Sequence, residues 1–587
     1  MTFQVNDEIV RDFKIEGSQD DLVNQLAALA GQFSLRAKEL AAKWQLYAIS
    51  HKRAVIGNGG PSLEDLGEFQ ESLQNPAPST PKKPASFAST PSRNNKRPPG
   101  SGKTFDLAKL EQELENTKLL PLTPKGTRIE VKIEKWENSG QVISTLHPSL
   151  PQSTQEPDSL ADLSILTRYE ENSRYMTLNL SDAAEILDSW IEERSIPLLK
   201  EFDFIKAEES IVMDDEEKPQ EIQIQDPSQP HQALAVFVGR ICCSVEDNAN
   251  NHLTGGVMLE PARSVGSTAA RVPLDLSGMP SYSIFPGQIV GVEGINPTGN
   301  ELRVSKLIQG SLPVPGPNVL TVSTKMVVAC GPFTKSSNLK FEPLAALLHA
   351  IDHPHTLILI GPFLSEDHPV IQSGKYPSPA SIFSTIIIPQ LTSFKARCPN
   401  TQVVLIPSTK DLSHPFITIP QPGFVASPEL GLPAGLFHLP GNPARFTVNN
   451  VELACLSYDI LVAMASTEVS SGDTRPRIPR LADHLLYSAH LFPLYPPADE
   501  FCSDFNLPLL NSLSLSHLPQ ILVTPSNLKA FAHVIGDENV VGINPGRLTY
   551  GEQGGSYAVI NVFVDQLDSP TGGLWNPSQC RVDLINV

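Results

Sequence analysis

The sequence has little of what a secreted, membrane-spanning or metal-clustering protein needs. Its 7 cysteines are scattered over 587 residues, and no two of them form a C-x-x-C pair. Such spacing fits neither a disulfide framework nor a zinc site, and it is typical of a reducing compartment. There is no signal peptide, no apolar run near 18 residues and no glycine-rich phosphate loop. The sequence therefore predicts a soluble intracellular protein.

Positive charge is scarce as well. Lys and Arg number 44 against 64 Asp and Glu, which gives a net charge of −20. A protein whose main task is to hold phosphates carries a basic surface, so the charge argues against a primary nucleic-acid binder but leaves room for a local basic patch. The length and the 53 prolines predict several domains joined by long loops and linkers.

Residues 1–74 predict a small N-terminal helical domain. Apolar residues recur there at helical spacings, namely Leu22, Leu26, Leu29 and Phe33, followed by Leu40, Trp44 and Tyr47. A self-contained helical bundle and a docking domain for partner proteins both fit this pattern. The long linker that follows favours docking.

Residues 75–160 are predicted to form a disordered linker, because the stretch from Asn75 to Thr104 is rich in Pro, Ser, Lys and Arg and contains no acid. Thr80 and Thr90 match the Ser/Thr-Pro-x-Lys/Arg pattern that cyclin-dependent kinases prefer, and Thr123 is a weaker third candidate. The basic residues form a loose bipartite nuclear-import signal, which predicts nuclear localisation: Lys82, Lys83, Arg93, Lys96 and Arg97. A solvated basic linker is the alternative.

Residues 161–315 predict a helix followed by a small β-barrel. Leu180–Leu199 has helical spacing, and the acidic stretch from Glu208 to Asp226 is expected to be an exposed connector. Short strands with glycine bends resemble an OB fold: Ala235–Ile241, Gly256–Glu260, Phe285–Gly294 and Leu302–Val304.

The predicted barrel has few residues on which single-stranded DNA could stack. Its aromatic residues are Phe237, Tyr282 and Phe285, and Lys and Arg are sparse around them. Because single-stranded DNA binding needs aromatic residues beside basic ones, the sequence favours a structural, protein-contacting role for the barrel.

Residues 316–587 are organised around a strand–helix–strand unit. Met326–Ala329 and Leu357–Ile360 are apolar runs without polar alternation, which predicts parallel strands buried on both faces. Phe341–Ile351 has helical spacing between them, and Gln402–Ile406 is a third predicted strand. In such sheets the chemistry lies just past the carboxyl ends of the strands. Here the first two strands both end in Gly-Pro-Phe.

This layout resembles the calcineurin-like metallophosphoesterase fold, whose active members carry Asp, Asn and His ligands in these loops. The corresponding positions here are Ala329, Cys330 and Gly331; Gly361, Pro362 and Phe363; Pro407, Ser408 and Asp411; and Asn544, Pro545, Gly546 and Arg547. A two-metal site needs several converging ligands, and only Asp411 is a candidate ligand. We therefore expect no metal, no cofactor and no catalytic residue.

Other polar residues near the strands are expected to be structural. Asp352, His353 and His355 precede the second strand and are predicted to be loop residues, while Asp367-His368 is predicted to lie in a surface loop. Cys330 has no histidine adjacent in sequence, so it is predicted to be a buried structural cysteine.

Several strings resemble the polymerase alpha/epsilon B-subunit family, in particular the B subunits of DNA polymerase alpha-primase. They are VACGPF at 328–333, LIGPFL at 359–364, FPLYPP at 492–497 and INPGRL at 543–548. The resemblance implies a multidomain α+β protein with an N-terminal helical module, an OB barrel and a catalytically degenerate phosphoesterase-type α/β sandwich.

The resemblance also implies a non-catalytic scaffold that supports the initiation of DNA replication. Its expected partners are the C-terminal zinc-binding region of the catalytic subunit of DNA polymerase alpha, bound through both the barrel and the sandwich, and the primase subunits through the complex. Nucleic acid would be bound only indirectly or weakly. Whether the N-terminal domain binds other replication or telomere factors stays open.

Two alternatives remain at this stage. One is an active metal-dependent phosphodiesterase or exonuclease with relocated ligands. The other is the small B subunit of polymerase delta or epsilon, which shares these folds; the Gly-Pro-Phe strings and the helical module with its linker favour alpha.

We predict that Thr80 or Thr90 is phosphorylated in dividing cells. A phosphate adds about −1.5 to −2 charge and would offset the basic residues around both sites. Phosphopeptide mapping through the cell cycle tests this, with Thr123 as the weaker site for comparison. Finding Thr80 and Thr90 unmodified at every stage would contradict it.

Overall fold

The computed structural model describes residues 20–32, 40, 44, 66 and 69 and, with short gaps, residues 136–587. The gaps are residues 153–155, 168, 170–176, 214–222, 244–252, 254–255, 267–269, 317–318, 375, 499–500, 502–503, 538 and 565–572. The chain divides into two units, Met1–Thr104 and Phe105–Val587. All the candidate phosphorylation and nuclear-import residues lie outside the described residues: Thr80, Lys82, Lys83, Thr90, Arg93, Lys96, Arg97 and Thr123.

In the first unit, helix α1 (Asp20–Gln32) buries Leu22, Leu26 and Leu29, as their spacing predicts. The rings of Trp44 and Phe69 are both buried and meet edge to face, with centroids 5.1 Å apart. Phe33 and Tyr47 of the predicted stripe lie outside the described residues.

The second unit begins with two short strands, a long helix and a barrel. Its first elements, in chain order, are β1 (Val142–Leu146), β2 (Leu163–Ile165), α2 (Leu180–Met213), β3 (His231–Cys243), β4 (Val257–Glu260), β5 (Val272–Asp275), β6 (Tyr282–Ile284), β7 (Ile289–Asn296) and β8 (Leu302–Ile308).

The remaining elements form two stacked sheets and the helices around them. They are β9 (Val319–Leu320), β10 (Thr324–Cys330), α3 (Glu342–Ala350), β11 (Thr356–Ile360), α4 (Pro369–Gln372), α5 (Pro379–Ile382), a π-helical turn (Phe383–Ile387), α6 (Ile388–Arg397), β12 (Gln402–Ile406), β13 (Thr418–Ile419), β14 (Ala444–Val448), β15 (Val451–Cys455), α7 (Ile460–Thr467), β16 (Val469–Ser471), α8 (Arg477–Tyr487), β17 (Asp504–Phe505), a 3₁₀ turn (Leu507–Leu513), β18 (Ile521–Val523), β19 (Phe531–Ile535), β20 (Val540–Asn544), β21 (Thr549–Tyr550), β22 (Gln553–Gly554), β23 (Ser556–Val562), β24 (Gly573–Leu574), a second 3₁₀ turn (Pro577–Gln579) and β25 (Cys580–Asn586).

The predicted strand–helix–strand unit is confirmed. β10, β11 and β12 are parallel neighbours in the first six-stranded sheet, whose order is β1-β25-β23-β10-β11-β12. Val328 and Ile358 face the second sheet, of order β19-β20-β18-β15-β14-β2, while Val327 and Leu357 pack under the helices. Both faces of these strands are buried, which is why their sequences show no polar alternation.

The predicted linker of residues 75–160 is wrong at its carboxyl end. β1 pairs antiparallel with β25, and Gly140 N–H donates to the Asn586 carbonyl over 2.9 Å. β2, assigned from sequence to the barrel region, pairs with β14 of the second sheet. Both strands join partners almost 300 residues or more away in the chain, so a local sequence pattern could not reveal them.

The barrel closes in the order β3-β4-β5-β8-β7, and the strands predicted for it are present. The acidic connector predicted from Glu208 is corrected, because α2 continues to Met213. The start of α2 is capped reciprocally: Asp182 N–H donates to Asn179 Oδ1, and the Asn179 amide donates to the Asp182 carboxylate. No helix in the described part of the chain is long and apolar enough to cross a membrane.

One hydrophobic core joins the barrel, α2 and the second sheet, including Trp190, Phe202, Val238, Phe285, Leu485 and Phe492. Phe202 of α2 lies against Gly291 of β7, where an added Cβ would be 2.5 Å from its ring. The FPLYPP string reaches the barrel as well: Tyr495 N–H donates to the Pro286 carbonyl over 3.3 Å, and the Arg240 guanidinium lies 4.9 Å from the Tyr495 ring centre.

A buried ion-pair network crosses the seam, meaning the contact between the barrel region and the second sheet with its helices. Glu468 is 1% exposed and bonds Arg480 at 2.8 Å, His484 at 3.3 Å and the Ser283 hydroxyl of β6 at 2.5 Å. These partners hold the pKa of Glu468 well below its usual value despite its burial. β6 also pairs antiparallel with β16, so the barrel segment and the sandwich share backbone hydrogen bonds.

We predict that Gly287→Ala lowers the free energy of unfolding by about 2–4 kcal/mol, because Gly287 has φ +95° and an added Cβ would collide with the backbone of Tyr495. Urea unfolding of the full chain measures the change. Gly278→Ala is the matched control, since its Cβ would lie 3.7 Å from the nearest atom. Equal losses of unfolding free energy in the two variants would show that the collision with Tyr495 is not what destabilises Gly287→Ala.

Candidate functional site

The Gly-Pro-Phe strings at the ends of β10 and β11 turn inward. Their Gly-Pro peptide bonds are cis, and Phe333 and Phe363 are buried and stacked, with centroids 5.1 Å apart. The two turns touch so closely that a Cβ on Gly331 would collide with the Pro362 carbonyl. Buried aromatic side chains therefore pack at these two strand ends.

Asp411, the one candidate ligand, is used to hold the loops together. Its Oδ1 accepts hydrogen bonds from the N–H groups of Phe363 at 2.5 Å and Leu364 at 2.9 Å, and its Oδ2 accepts from Ser408 N–H at 2.9 Å. Burial raises the pKa of Asp411 to about 7, and the three amide donors oppose that rise. The carboxylate thus bridges the loops after β11 and β12.

Asn544 holds the fourth loop in the same way. Its Oδ1 accepts from Ser526 and Gly546 N–H groups, each at 3.0 Å, and its amide nitrogen donates to the carbonyls of Leu528 and Lys529. The residue is fully buried, and both ends of its side chain are committed to backbone groups.

His368 differs from its prediction as a surface-loop residue. It is buried, one ring nitrogen lies 2.8 Å from the Lys335 carbonyl, and the other accepts from Val370 N–H. It therefore connects the loop after β10 to the loop after β11. Its neighbour Asp367 is exposed and pairs with Lys410 at 2.7 Å.

Cys330 is a buried structural thiol, as predicted. Burial raises its pKa to about 12, and its Sγ lies 3.4 Å from the Gly361 carbonyl. Leu548 N–H donates to the Cys330 carbonyl over 2.8 Å, so the loop that contains Arg547 also meets this strand end. The structure brings all four loops together, but as a packed junction.

The described residues offer one group of three possible metal ligands, and it lies at the opposite end of the strands. The Nδ1 atom of His353 lies 2.8 Å from an Asp352 oxygen and 3.2 Å from a Glu156 oxygen. Both acids are exposed, and the three residues form ordinary surface ion pairs. Sequence reasoning missed Glu156, because it lies almost 200 residues before Asp352.

The aromatic residues of the barrel are not placed to stack on bases. Phe237 and Phe285 are fully buried, and Tyr282 is half-buried in β6, which leaves the barrel to pair with β16. On β4 of the barrel, Glu260 pairs with both Arg240 at 2.6 Å and Arg271 at 3.3 Å, so each of these cations already has a carboxylate partner.

Comparison with known proteins identifies the family. A family model for the B subunit of DNA polymerase alpha/epsilon matches residues 326–533, and one for the OB domain of the DNA polymerase alpha B subunit matches residues 207–310. The rat DNA polymerase alpha B subunit is 30% identical over 439 residues, which cover 73% of this chain and 69% of the rat protein. The chain belongs to the DNA polymerase alpha B-subunit family.

Two fungal members of the DNA polymerase alpha B-subunit family are similar over comparable lengths. The Schizosaccharomyces pombe protein is 29% identical over 72% of this chain and 74% of its own length. The Saccharomyces cerevisiae protein is 28% identical over 75% of this chain and 66% of its own length. The resemblance drawn from the sequence strings is confirmed, as is the OB domain.

We predict that Asp411→Ala lowers the free energy of unfolding by about 3–5 kcal/mol, because it leaves three buried N–H groups without an acceptor. Chemical denaturation of the full chain measures the loss. Asp367→Ala, which removes an exposed ion pair from the same loop region, should change stability by less than about 0.5 kcal/mol. A loss that is no larger for Asp411→Ala would contradict the bridging role.

Proposed function

We propose that this chain is a non-catalytic regulatory and scaffold subunit of the DNA polymerase alpha-primase complex. In this proposal it binds the C-terminal zinc-binding region of the catalytic subunit, meets the primase subunits through the complex, and acts in the nucleus in the initiation of DNA replication. Family membership supports the assignment. The structural observation that carries it is the closure of the strand ends by Asp411, Asn544 and His368.

This closure matters because the side-chain atoms that could bind a metal ion already form hydrogen bonds within the junction. Both oxygens of Asp411 accept backbone N–H groups, and Asn544 is bonded at both ends. A two-metal centre needs oxygen and nitrogen ligands around ions about 3.5–4 Å apart. To offer such ligands here, the junction would have to break the bonds that join its loops. We therefore propose a phosphoesterase-type sandwich without catalytic residues.

The seam between barrel and sandwich supports a docking surface that uses both. Their shared core and the Glu468 network make them one body, so a partner that spans them would meet a preformed surface and lose less conformational entropy on binding. The N-terminal helical unit is proposed as a separate docking domain, at the end of the linker that contains Thr80 and Thr90.

The alternatives are less well supported. An active phosphodiesterase with relocated ligands would need a second cluster, and Glu156, Asp352 and His353 lie at the amino ends of the strands in ordinary ion pairs. A polymerase delta or epsilon subunit is not favoured either, since the OB-domain match and the similar relatives are all of the alpha type.

We predict that the purified chain contains less than stoichiometric Mn, Fe or Zn, hydrolyses no phosphodiester, and forms a stable complex with the C-terminal region of the polymerase alpha catalytic subunit. Elemental analysis, a phosphodiester hydrolysis assay and size-exclusion chromatography measure the three properties. Two tightly bound ions per chain, with hydrolysis that is lost on mutating the residues that bind them, would overturn the scaffold assignment.

A further inference from the structure

Arg547 is the residue that the closed junction leaves unpaired. Other described arginines bond a carboxylate or a carbonyl through their guanidinium, except Arg303, which is exposed on the barrel. Arg547 is half-buried, and no carboxylate of the described residues lies within ion-pair distance of it. A half-buried arginine without an ion-pair partner still reaches solvent, so its guanidinium is available to a carboxylate from outside the chain.

The backbone around Arg547 is held firmly. Its carbonyl accepts from Ser556 N–H at 2.9 Å, and its N–H donates to the Tyr550 hydroxyl over 3.4 Å. The residues on either side are tied as well, Gly546 to Asn544 and Leu548 to Cys330. The guanidinium therefore starts from a fixed base, which lowers the entropy lost when it binds a partner.

None of the acids of the described junction and its rim makes a direct ion pair with Arg547, and each accepts hydrogen bonds from other groups. Asp411 accepts three N–H groups, Asp459 accepts from Val462 and Asn527, and Glu552 accepts from the N–H and the hydroxyl of Ser337. Burial raises the pKa of the Cys330 thiol, the positive charge of Arg547 lowers it, and the carboxylates of Asp459 and Asp411 add to the rise. The guanidinium thus lies at the junction without a direct carboxylate partner among the described residues.

We propose that Arg547 anchors a protein partner by binding a carboxylate of that partner over the closed strand ends. This inference rests on the proposed scaffold function and names the contact it would use. The surroundings fit a protein better than a nucleic acid: Tyr550 is 44% exposed beside Arg547, and Pro332 and Pro362 are half-exposed at the same strand ends. Tyr and Arg are enriched among residues that dominate protein interfaces, whereas a net charge of −20 opposes a string of phosphates.

The test compares Arg547→Ala, Arg547→Glu and Arg547→Lys with Arg303→Glu, the same charge reversal at an exposed arginine of the barrel. The probe is the C-terminal region of the polymerase alpha catalytic subunit, and its affinity is measured by calorimetry with the full-length chain. We expect Arg547→Ala to weaken binding roughly tenfold to a hundredfold, and Arg547→Glu to weaken it more. Arg547→Lys should retain only part of the wild-type affinity, because lysine cannot bind a carboxylate bidentately. Urea unfolding confirms that the variants stay folded.

The outcomes separate this inference from the proposed function. Failure of the wild-type chain to bind the probe would contradict the proposed function itself. Wild-type binding that Arg547→Glu and Arg303→Glu leave equally unchanged would overturn the Arg547 contact alone. A parallel titration with a single-stranded oligonucleotide gives the third outcome: a loss of oligonucleotide affinity in Arg547→Glu with protein binding intact would show a phosphate contact and refute the carboxylate one.

Discussion

The carboxylate of Asp411 holds two neighbouring strand ends together by accepting three backbone N–H groups. Parallel strands end at the same edge of a sheet, and the loops beyond them leave amide groups that need acceptors. Burying a carboxylate to supply those acceptors costs desolvation free energy, which shows in the raised pKa of Asp411. The cost is offset because the alternative is three buried amides without partners.

The rest of the junction depends on this bridge. Once Asp411 draws the loop after β12 against the loop after β11, Phe363 is held where it stacks on Phe333 and meets Phe383 and Phe424. Gly361 has no side chain for the same reason, since a Cβ there would collide with the Asp411 carboxylate. Hydrogen bonds and aromatic packing thus join the strand ends.

Sequence reasoning reached the elements whose signal is local. The runs of β10, β11 and β12 and the helix α3 could be predicted because their periodicity and length lie within a few residues of one another. β1 and β2 could not, since each is short, half-exposed and paired with a strand far along the chain. The candidate positions were grouped by family resemblance, and their contacts were not foreseen. Nothing in the pattern Pro-Ser-Thr-Lys-Asp shows that Asp411 would accept amides from another loop, or that His368 would be buried.

The seam between barrel and sandwich decides what kind of surface the molecule can offer. A barrel on a flexible tether would have to lose orientational freedom each time a partner bound both parts. Here the barrel is fixed to the sandwich by a common core and by the β6–β16 backbone pairing. Glu468 adds to this, because its partners include Ser283 of the barrel region and Arg480 of helix α8. Because a buried carboxylate with a lost partner is strongly destabilising, the network penalises a barrel that moves away from the sandwich. A rigid composite surface is suited to assembly, since the orientation of a partner that contacts both parts is then set by the fold itself.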